Sequence, residues 1–222
     1  MTDLGVAQLR QAVAGARHQG WAELDGTLDG LVVTAVGLGA EIVPTRPGDP
    51  AIGLLRPVAQ ESSQRASLSA TYGLGAFPLH TDGAHLRRPP DVTFLEIESG
   101  ADAQGVATLL FPVRRSTVGE DVWEVMHQGV FRIGRGRDRY LGLARTEERL
   151  RFDPGCMRPL DPASRSVHRF FERSLDAATR YTWESVGKVL VLDNTSVAHA
   201  REPAPQHTRR RLRRLMLRWP VR

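Results

Sequence analysis

Phe77-Pro78-Leu79-His80-Thr81-Asp82-Gly83 sets a histidine and an aspartate two positions apart, between an apolar approach and a glycine. In extended backbone, residues i and i+2 point to the same side, so the His80 imidazole and the Asp82 carboxylate can grip one ion. The chain has seven histidines, at 18, 80, 85, 127, 168, 199 and 207, and only His80 is followed two residues later by an acid. Taken alone the pair is weak, because a surface turn holding a histidine and an aspartate reads the same way.

A second segment strengthens it. Val189-Leu190-Val191-Leu192-Asp193-Asn194-Thr195-Ser196-Val197-Ala198-His199 runs from an apolar strand into a polar turn, with a histidine at the start of the next segment. By itself His199 reads equally well as a histidine packed at a strand end. Joined to His80 and Asp82, it completes two imidazoles and one carboxylate, the facial set that leaves three positions open on a non-haem Fe(II). Zinc more often takes a further nitrogen or sulfur ligand. The lone cysteine, Cys156, excludes an internal disulfide and any multi-cysteine metal site. It has no evident base nearby, so a nucleophilic role is not expected.

The charge distribution adds a third element. The chain holds 30 basic and 25 acidic residues, and every basic residue but Lys188 is arginine. Residues 201–222 carry eight arginines against Glu202 alone, so the net positive charge of +5 belongs to the tail. Such a cluster suits either a nucleic-acid-binding arm or a strand that uses some arginines for a specific anion. With period two, Arg210, Leu212, Arg214, Met216 and Arg218 share one face, and Arg209, Arg211, Arg213, Leu215 and Leu217 the other. A buried guanidinium needs an anionic partner, which favours the second reading for Arg210 and Arg214. Arg209, Arg211 and Arg213 read as a solvated basic edge.

Length and composition set the frame. The 222 residues are 41% hydrophobic, with 35 Gly and Pro, which suits one globular domain over 1–222 and excludes disordered and collagen-like classes. No basic n-region followed by an apolar run opens the chain, and Leu31 to Val43 is too short and interrupted to cross a bilayer. A cytoplasmic protein with no membrane partner is expected. Residues 4–18 read as a helix with Leu4, Leu9, Val13 and Ala16 on one face, and Asp161-Pro162 opens another to about Ala178. Strands are expected at 31–36, 52–58, 67–73, 92–99, 106–113, 129–134, 188–194 and 210–219. The fold class is therefore mainly β with flanking helices. The stretch Arg114 to Pro159 reads as a long excursion, or lid, over the site.

On these motifs the chain resembles the taurine dioxygenase-like (TauD/TfdA-like) branch of the Fe(II)/2-oxoglutarate-dependent oxygenases. The resemblance rests on His80-Thr81-Asp82, on His199, and on Arg210 and Arg214 eleven and fifteen residues beyond it. It covers roughly residues 65–112 and 186–218, including SLSATYGLGAFPLHTDGAHLRRPP. Similar proteins carry a Gly-Gly-x-Thr-like step, for which Gln104-Gly105-Val106-Ala107-Thr108 stands here with one glycine replaced by Val106. The resemblance implies a double-stranded β-helix (jelly-roll, cupin-like) core. It also implies Fe(II) on His80, Asp82 and His199, and 2-oxoglutarate held by Arg210 and Thr108, with Arg214 beside either co-substrate or substrate. With O2 as the third participant, the implied reaction is hydroxylation of a small molecule. Because Asp82 is present, halogenation, which in relatives goes with loss of this acid, is not implied.

Spare cationic groups point to a small polar substrate with an anionic or zwitterionic group, such as an amino acid or related carboxylate of secondary metabolism, free or tethered to a carrier protein. Ser69, Thr71, His85 and Arg88 are the candidate substrate contacts, with Arg87 beside them. Asn194 is expected to shape the turn before His199, and Arg151 and Arg158 to flank a segment that closes over the site. Two other classes compete: a metal-dependent cupin-like isomerase or hydrolase, which does not need Arg210, and a nucleic-acid-binding protein using Arg209–Arg214. The oxygenase reading carries no nucleic-acid partner. Oligomeric state and the choice among hydroxylation, desaturation, epoxidation and cyclisation are not written in the sequence.

Overall fold

Val92–Ile97 is buried along its whole length, including Thr93 and Glu96. A strand covered on both faces needs a layer on each side of its sheet, and the computed structural model, which describes residues 5–65, 67–99, 101–102, 105–184 and 186–220, supplies both. In chain order the N-terminal elements are α1 (Val6–Gln19), β1 (Trp21–Asp25), α2 (Leu28–Gly37), β2 (Glu41–Ile42), β3 (Ile52–Leu55) and the single helical turn α3 (Ser69–Tyr72). The middle holds β4 (Val92–Ile97), β5 (Thr108–Pro112), α4 (Arg115–Val118), α5 (Glu120–Gln128), β6 (Val130–Ile133), β7 (Tyr140–Leu143) and β8 (Met157–Pro159). Then come α6 (Pro162–Arg173), β9 (Thr179–Tyr181), β10 (Lys188–Asp193), β11 (Val197–Arg201) and β12 (Leu212–Arg218).

A six-stranded sheet runs in the order β1-β10-β4-β12-β2, with β3 also on β12, and a three-stranded sheet runs β11-β5-β9. Their paired strands are antiparallel. One face of the large sheet, through Val92, Phe94, Val189, Val191, Leu215 and Leu217, packs on α1 and α2. The other, through Leu95, Ile97, Leu190, Leu192 and Leu212, meets Leu110 of β5 and Trp183. The alternation along β12 thus follows the period-two reading: Leu212 faces the second sheet, while Leu215 and Leu217 face the helices.

Two expected strands are helical. Residues 31–36 lie inside α2, which Thr27 caps by accepting from Gly30 N, with Leu28, Leu31 and Ala35 inward and Val33 exposed. Residues 67–73 include α3, so Ser69 and Thr71 sit on a helical turn. The expected helices are found: α1 buries Leu9, Val13 and Ala16, and α6 opens on a reciprocal Asp161–Ser164 cap with Pro162 in its first turn. Leu4, Gln104 and Arg222 lie outside the described residues.

The 114–159 stretch is not bare loop. It contains α4, α5 and a third sheet, β7-β6-β8, built on a core that includes Met126, Phe131, Ile133, Phe152 and Met157, with Phe171 of α6 stacked on Phe152. No helix among the described residues is long and apolar enough to cross a membrane.

Candidate metal and anion site

The turn between β10 and β11 carries the chain from the large sheet to the small one. Asp193 closes it, accepting through Oδ1 from Thr195 N at 3.1 Å and Thr195 Oγ1 at 2.6 Å. His199 lies in β11, opposite Leu110 of β5. On its other side it forms an isolated antiparallel bridge with His80: His80 N donates to His199 O at 2.9 Å, and His199 N returns to His80 O at 2.8 Å. The two rings are 4.4 Å apart between centroids. His80 and Asp82 therefore sit on a bridge and the turn after it, not within a regular strand. Gly83 follows with φ +65°, and a Cβ there would lie 2.7 Å from Pro90 Cδ, so the chain turns sharply directly after Asp82.

The ligand-type atoms of His80, Asp82 and His199 lie within 4.8 Å of one another. His80 Nδ1 is 3.0 Å from Pro78 O, so as donor to that carbonyl it leaves Nε2 with a free lone pair. His199 is 8% exposed, and its buried Nδ1 has no hydrogen-bond partner among the described residues. Burial above all, then the neighbouring His80, holds its pKa down to about 3 against the pull of Asp82, so the ring is neutral at physiological pH. Burial would raise the Asp82 carboxyl, but Arg214, His199, His80 and the Thr93 hydroxyl outweigh it and bring it down to about 2. Two imidazoles and a carboxylate, close together and mostly buried, are the donor set a divalent cation needs, and the residues fit.

Several contacts hold Asp82. Thr93 Oγ1 donates to its Oδ2 at 3.0 Å, and Arg214 Nη1 bonds its Oδ1. Asn194, 2% exposed, accepts from Asp82 N at 2.8 Å and donates to Asp82 O at 3.0 Å and Pro90 O at 2.9 Å. This amide shapes its own turn less than it staples the metal turn across 112 residues. Thr81, between His80 and Asp82, is bound in turn by the middle segment: its N donates to Phe152 O at 2.7 Å, and Phe152 N donates to its Oγ1 at 3.1 Å.

A buried cation lies in the inter-sheet space. Arg210, 5% exposed, donates through Nε to Val106 O at 3.1 Å and through Nη2 to Thr108 Oγ1 at 3.0 Å. Among the described residues it has no carboxylate partner. Burial, and then the like charge of Arg201, lowers its pKa to about 9, so it remains charged at neutral pH. A buried, acid-free guanidinium costs several kcal/mol unless an anion joins it. Arg201 is also buried and, among the described residues, acid-free, but it is spent on backbone: Nη2 donates to Gly73 O at 2.9 Å and Gly75 O at 2.5 Å, and its guanidinium lies 4.0 Å from the Phe77 ring centroid. It fastens the approach to His80.

Arg214 shares the inward face but donates to Asp82 and, at 2.9 Å, to Thr45 Oγ1, while its buried Nε has no partner among the described residues. Arg211 pairs with Glu98, Arg213 with Asp29 and Glu96, and Arg218 with Glu41. Thr71, His85 and Arg88 are exposed and Ser69 is half-buried. Arg151 donates to the carbonyls of Ala84, Leu86 and Arg87, tying the loop after Asp82 to the middle segment. Arg158 faces Arg132 across β6 and β8.

Sequence reasoning missed Arg201, Thr93, Thr45 and the long reach of Asn194, because each acts through a partner remote in the chain. The one available signal was Asn194 directly after the strand that leads to His199. Cys156 stands 3.5 Å from Asp153 Oδ2, and burial, then that carboxylate, pushes its thiol well above the ordinary range. Alkylation by iodoacetamide at pH 8 should therefore run far slower than for a free thiol. Modification at the free-thiol rate would show the segment open.

No protein-family model matches the chain, and no curated protein sequence matches it. Solved structures do. The non-haem iron oxygenase OrfP, in complex with Fe and alpha-ketoglutaric acid, superposes with TM-score 0.71 at 17% identity, over 95% of this chain and 78% of that one. Asparagine oxygenase, with Fe(II), 3-hydroxyasparagine and succinate bound, gives 0.67 at 18%, over 96% and 79%. PvcB, an Fe, alpha-ketoglutarate-dependent oxygenase from an isonitrile synthetic pathway, gives 0.65 at 19%, over 94% and 79%. The chain has the fold of the iron- and 2-oxoglutarate-dependent oxygenases.

Proposed function

We propose that the protein is an Fe(II)/2-oxoglutarate-dependent dioxygenase that hydroxylates a small amino acid or related carboxylate. The observation that carries this is the pairing of two features: a buried His80–Asp82–His199 cluster, and a buried guanidinium, Arg210, with no acid partner among the described residues. A metal hydrolase or isomerase on a similar scaffold needs the first and not the second. The paired antiparallel sheets support the reading of the core as a double-stranded β-helix, or jelly roll, in one domain.

His80, Asp82 and His199 would hold Fe(II). The bound iron, with 2-oxoglutarate and O2, supplies oxidation of a substrate C–H bond, the co-substrate leaving as succinate and CO2. Arg210 and Thr108 bind the distal carboxylate of 2-oxoglutarate and fix how far its keto-acid end reaches. His199 meets the cation without first losing a proton, since it is already neutral. Arg214 keeps Asp82 ionised and oriented, and its unpartnered Nε is a donor free for a co-substrate or substrate anion. Arg210 is only 5% exposed, and its burial away from water strengthens these contacts.

The substrate class rests on that spare donor and on the fold neighbours, which hold hydroxy-arginine and 3-hydroxyasparagine in their own sites. Ser69, Thr71, His85 and Arg88 remain the proposed substrate contacts, from the α3 turn before the metal turn and the loop after it. The test is to supply Fe(II), 2-oxoglutarate and O2, screen free amino acids and small acids, and measure succinate with a one-oxygen mass gain. Succinate triggered by an amino acid, and reduced in Arg214→Ala, is expected. Turnover of neutral apolar compounds alone, unchanged in Arg214→Ala, would contradict the substrate class.

Arg210 gives a further expectation. Arg210→Lys keeps the charge but loses the planar fork, so the KM for 2-oxoglutarate should rise about tenfold or more with a smaller change in kcat. An unchanged KM would remove Arg210 from the co-substrate site.

A further inference from the structure

Trp183 lies between β9 and β10, buried in the layer between the two sheets, with its ring against Tyr181 and Leu110 in the same apolar cluster. Its Nε1 donates to Thr108 Oγ1 at 3.0 Å. Arg210 Nη2 donates to that same oxygen, also at 3.0 Å. A threonine hydroxyl has two acceptor lone pairs and one proton, and neither an indole N–H nor a guanidinium can accept a hydrogen bond. Both lone pairs of Thr108 are therefore occupied, and its proton must point elsewhere. No described residue accepts it.

We propose that Trp183 is a positioning residue: by taking one lone pair of Thr108 Oγ1, it commits that hydroxyl to donate to the distal carboxylate of the co-substrate. This rests on the functional reading above and deepens it. The Thr108 O–H and the Arg210 N–H groups not spent on Val106 O and Thr108 Oγ1 are all donors, so together they favour a group that only accepts. A carboxylate does; an amide or amine does not. Removing the indole N–H frees a lone pair, lets the hydroxyl rotate and uncouples its proton from the ligand, although Trp183 itself never touches it.

The experiment is calorimetric titration of the Mn(II)-loaded protein, which binds without turning over, using 2-oxoglutarate and 2-oxopentanoate, the latter lacking the distal carboxylate. Trp183→Phe should raise the Kd for 2-oxoglutarate about three- to tenfold, the scale of one neutral hydrogen bond. It should leave 2-oxopentanoate binding within twofold of wild type. In a Thr108→Val background, where no hydroxyl remains to orient, adding Trp183→Phe should change the 2-oxoglutarate Kd by less than about twofold. The proposal is overturned if Trp183→Phe binds 2-oxoglutarate as wild type does, if it weakens 2-oxopentanoate equally, or if its effect persists undiminished beside Thr108→Val. If Trp183→Phe does not fold, 3-benzothienylalanine at position 183, which replaces only the N–H by sulfur, should give the same pattern, and wild-type binding by it would equally overturn the proposal. Failure of the wild-type, Mn(II)-loaded protein to bind either acid would instead overturn the functional reading, and the role of Trp183 with it.

Discussion

His199→Ala should abolish tight Fe(II) binding and 2-oxoglutarate turnover together while leaving the fold in place. The imidazole is one of three ligand-type side chains within 4.8 Å of each other, and its neutral state is enforced by burial, so it contributes a lone pair at no proton cost. The buried Nδ1 of that ring has no partner among the described residues, so the ring contributes little to folding that alanine would lose beyond packing. Outer partners of metal ligands already cost ten- to a hundredfold in affinity when removed; loss of a ligand should exceed about a hundredfold. The check is Fe(II) or Mn(II) affinity by competition with a chelating dye, alongside far-UV circular dichroism. Wild-type affinity in a folded His199→Ala protein would remove this residue from the metal site.

Asn194→Asp is the second large expected effect, although it is nearly isosteric and touches no ligand atom of the cluster. The amide nitrogen donates to Asp82 O and Pro90 O while the amide oxygen accepts from Asp82 N. A carboxylate there keeps the acceptor but turns a two-fold donor into an anion facing two carbonyl oxygens in a buried site, a loss of about 1–3 kcal/mol for each group left unsatisfied. The staple across 112 residues opens, and Asp82 loses its fixed direction. Metal affinity should fall about ten- to a hundredfold, with a lower melting temperature, and Asn194→Ala should fall between this variant and wild type. Metal affinity within twofold of wild type in Asn194→Asp would show that Asp82 is positioned without it.

What the chain discloses by itself divides along the distance between partners. The His80-Thr81-Asp82 spacing, the distal His199 and the alternation of Arg210, Leu212 and Arg214 are short-range patterns, and the folded chain brings the triad together as they suggest. The strands at Val92–Ile97 and Lys188–Asp193 were legible for the same reason, being mostly apolar, β-branched-rich runs between turn signals. Residues 31–36 misled because Val32, Val33 and Val36 look like strand residues, whereas the Thr27 cap and the inward Leu28, Leu31 and Ala35 make α2, with Val33 left in solvent. Serine and threonine in SLSATYG similarly suit a strand or a turn, and the Gly73 carbonyl caught by Arg201 belongs to the turn. Arg201, Thr93, Trp183 and the long reach of Asn194 could not be read in advance, since each acts through a residue that only the packed sheets bring near.

The most direct measurement is an anaerobic calorimetric titration of the metal-free protein, first with Fe(II) and then with 2-oxoglutarate. One Fe(II) per chain is expected, followed by one 2-oxoglutarate whose binding weakens sharply when Fe(II) is omitted and again in Arg210→Ala. Binding of 2-oxoglutarate that is indifferent to both Fe(II) and Arg210, or stoichiometric Fe(II) binding that survives in Asp82→Ala, would contradict a single site in which the His80–Asp82–His199 cluster and Arg210 act together.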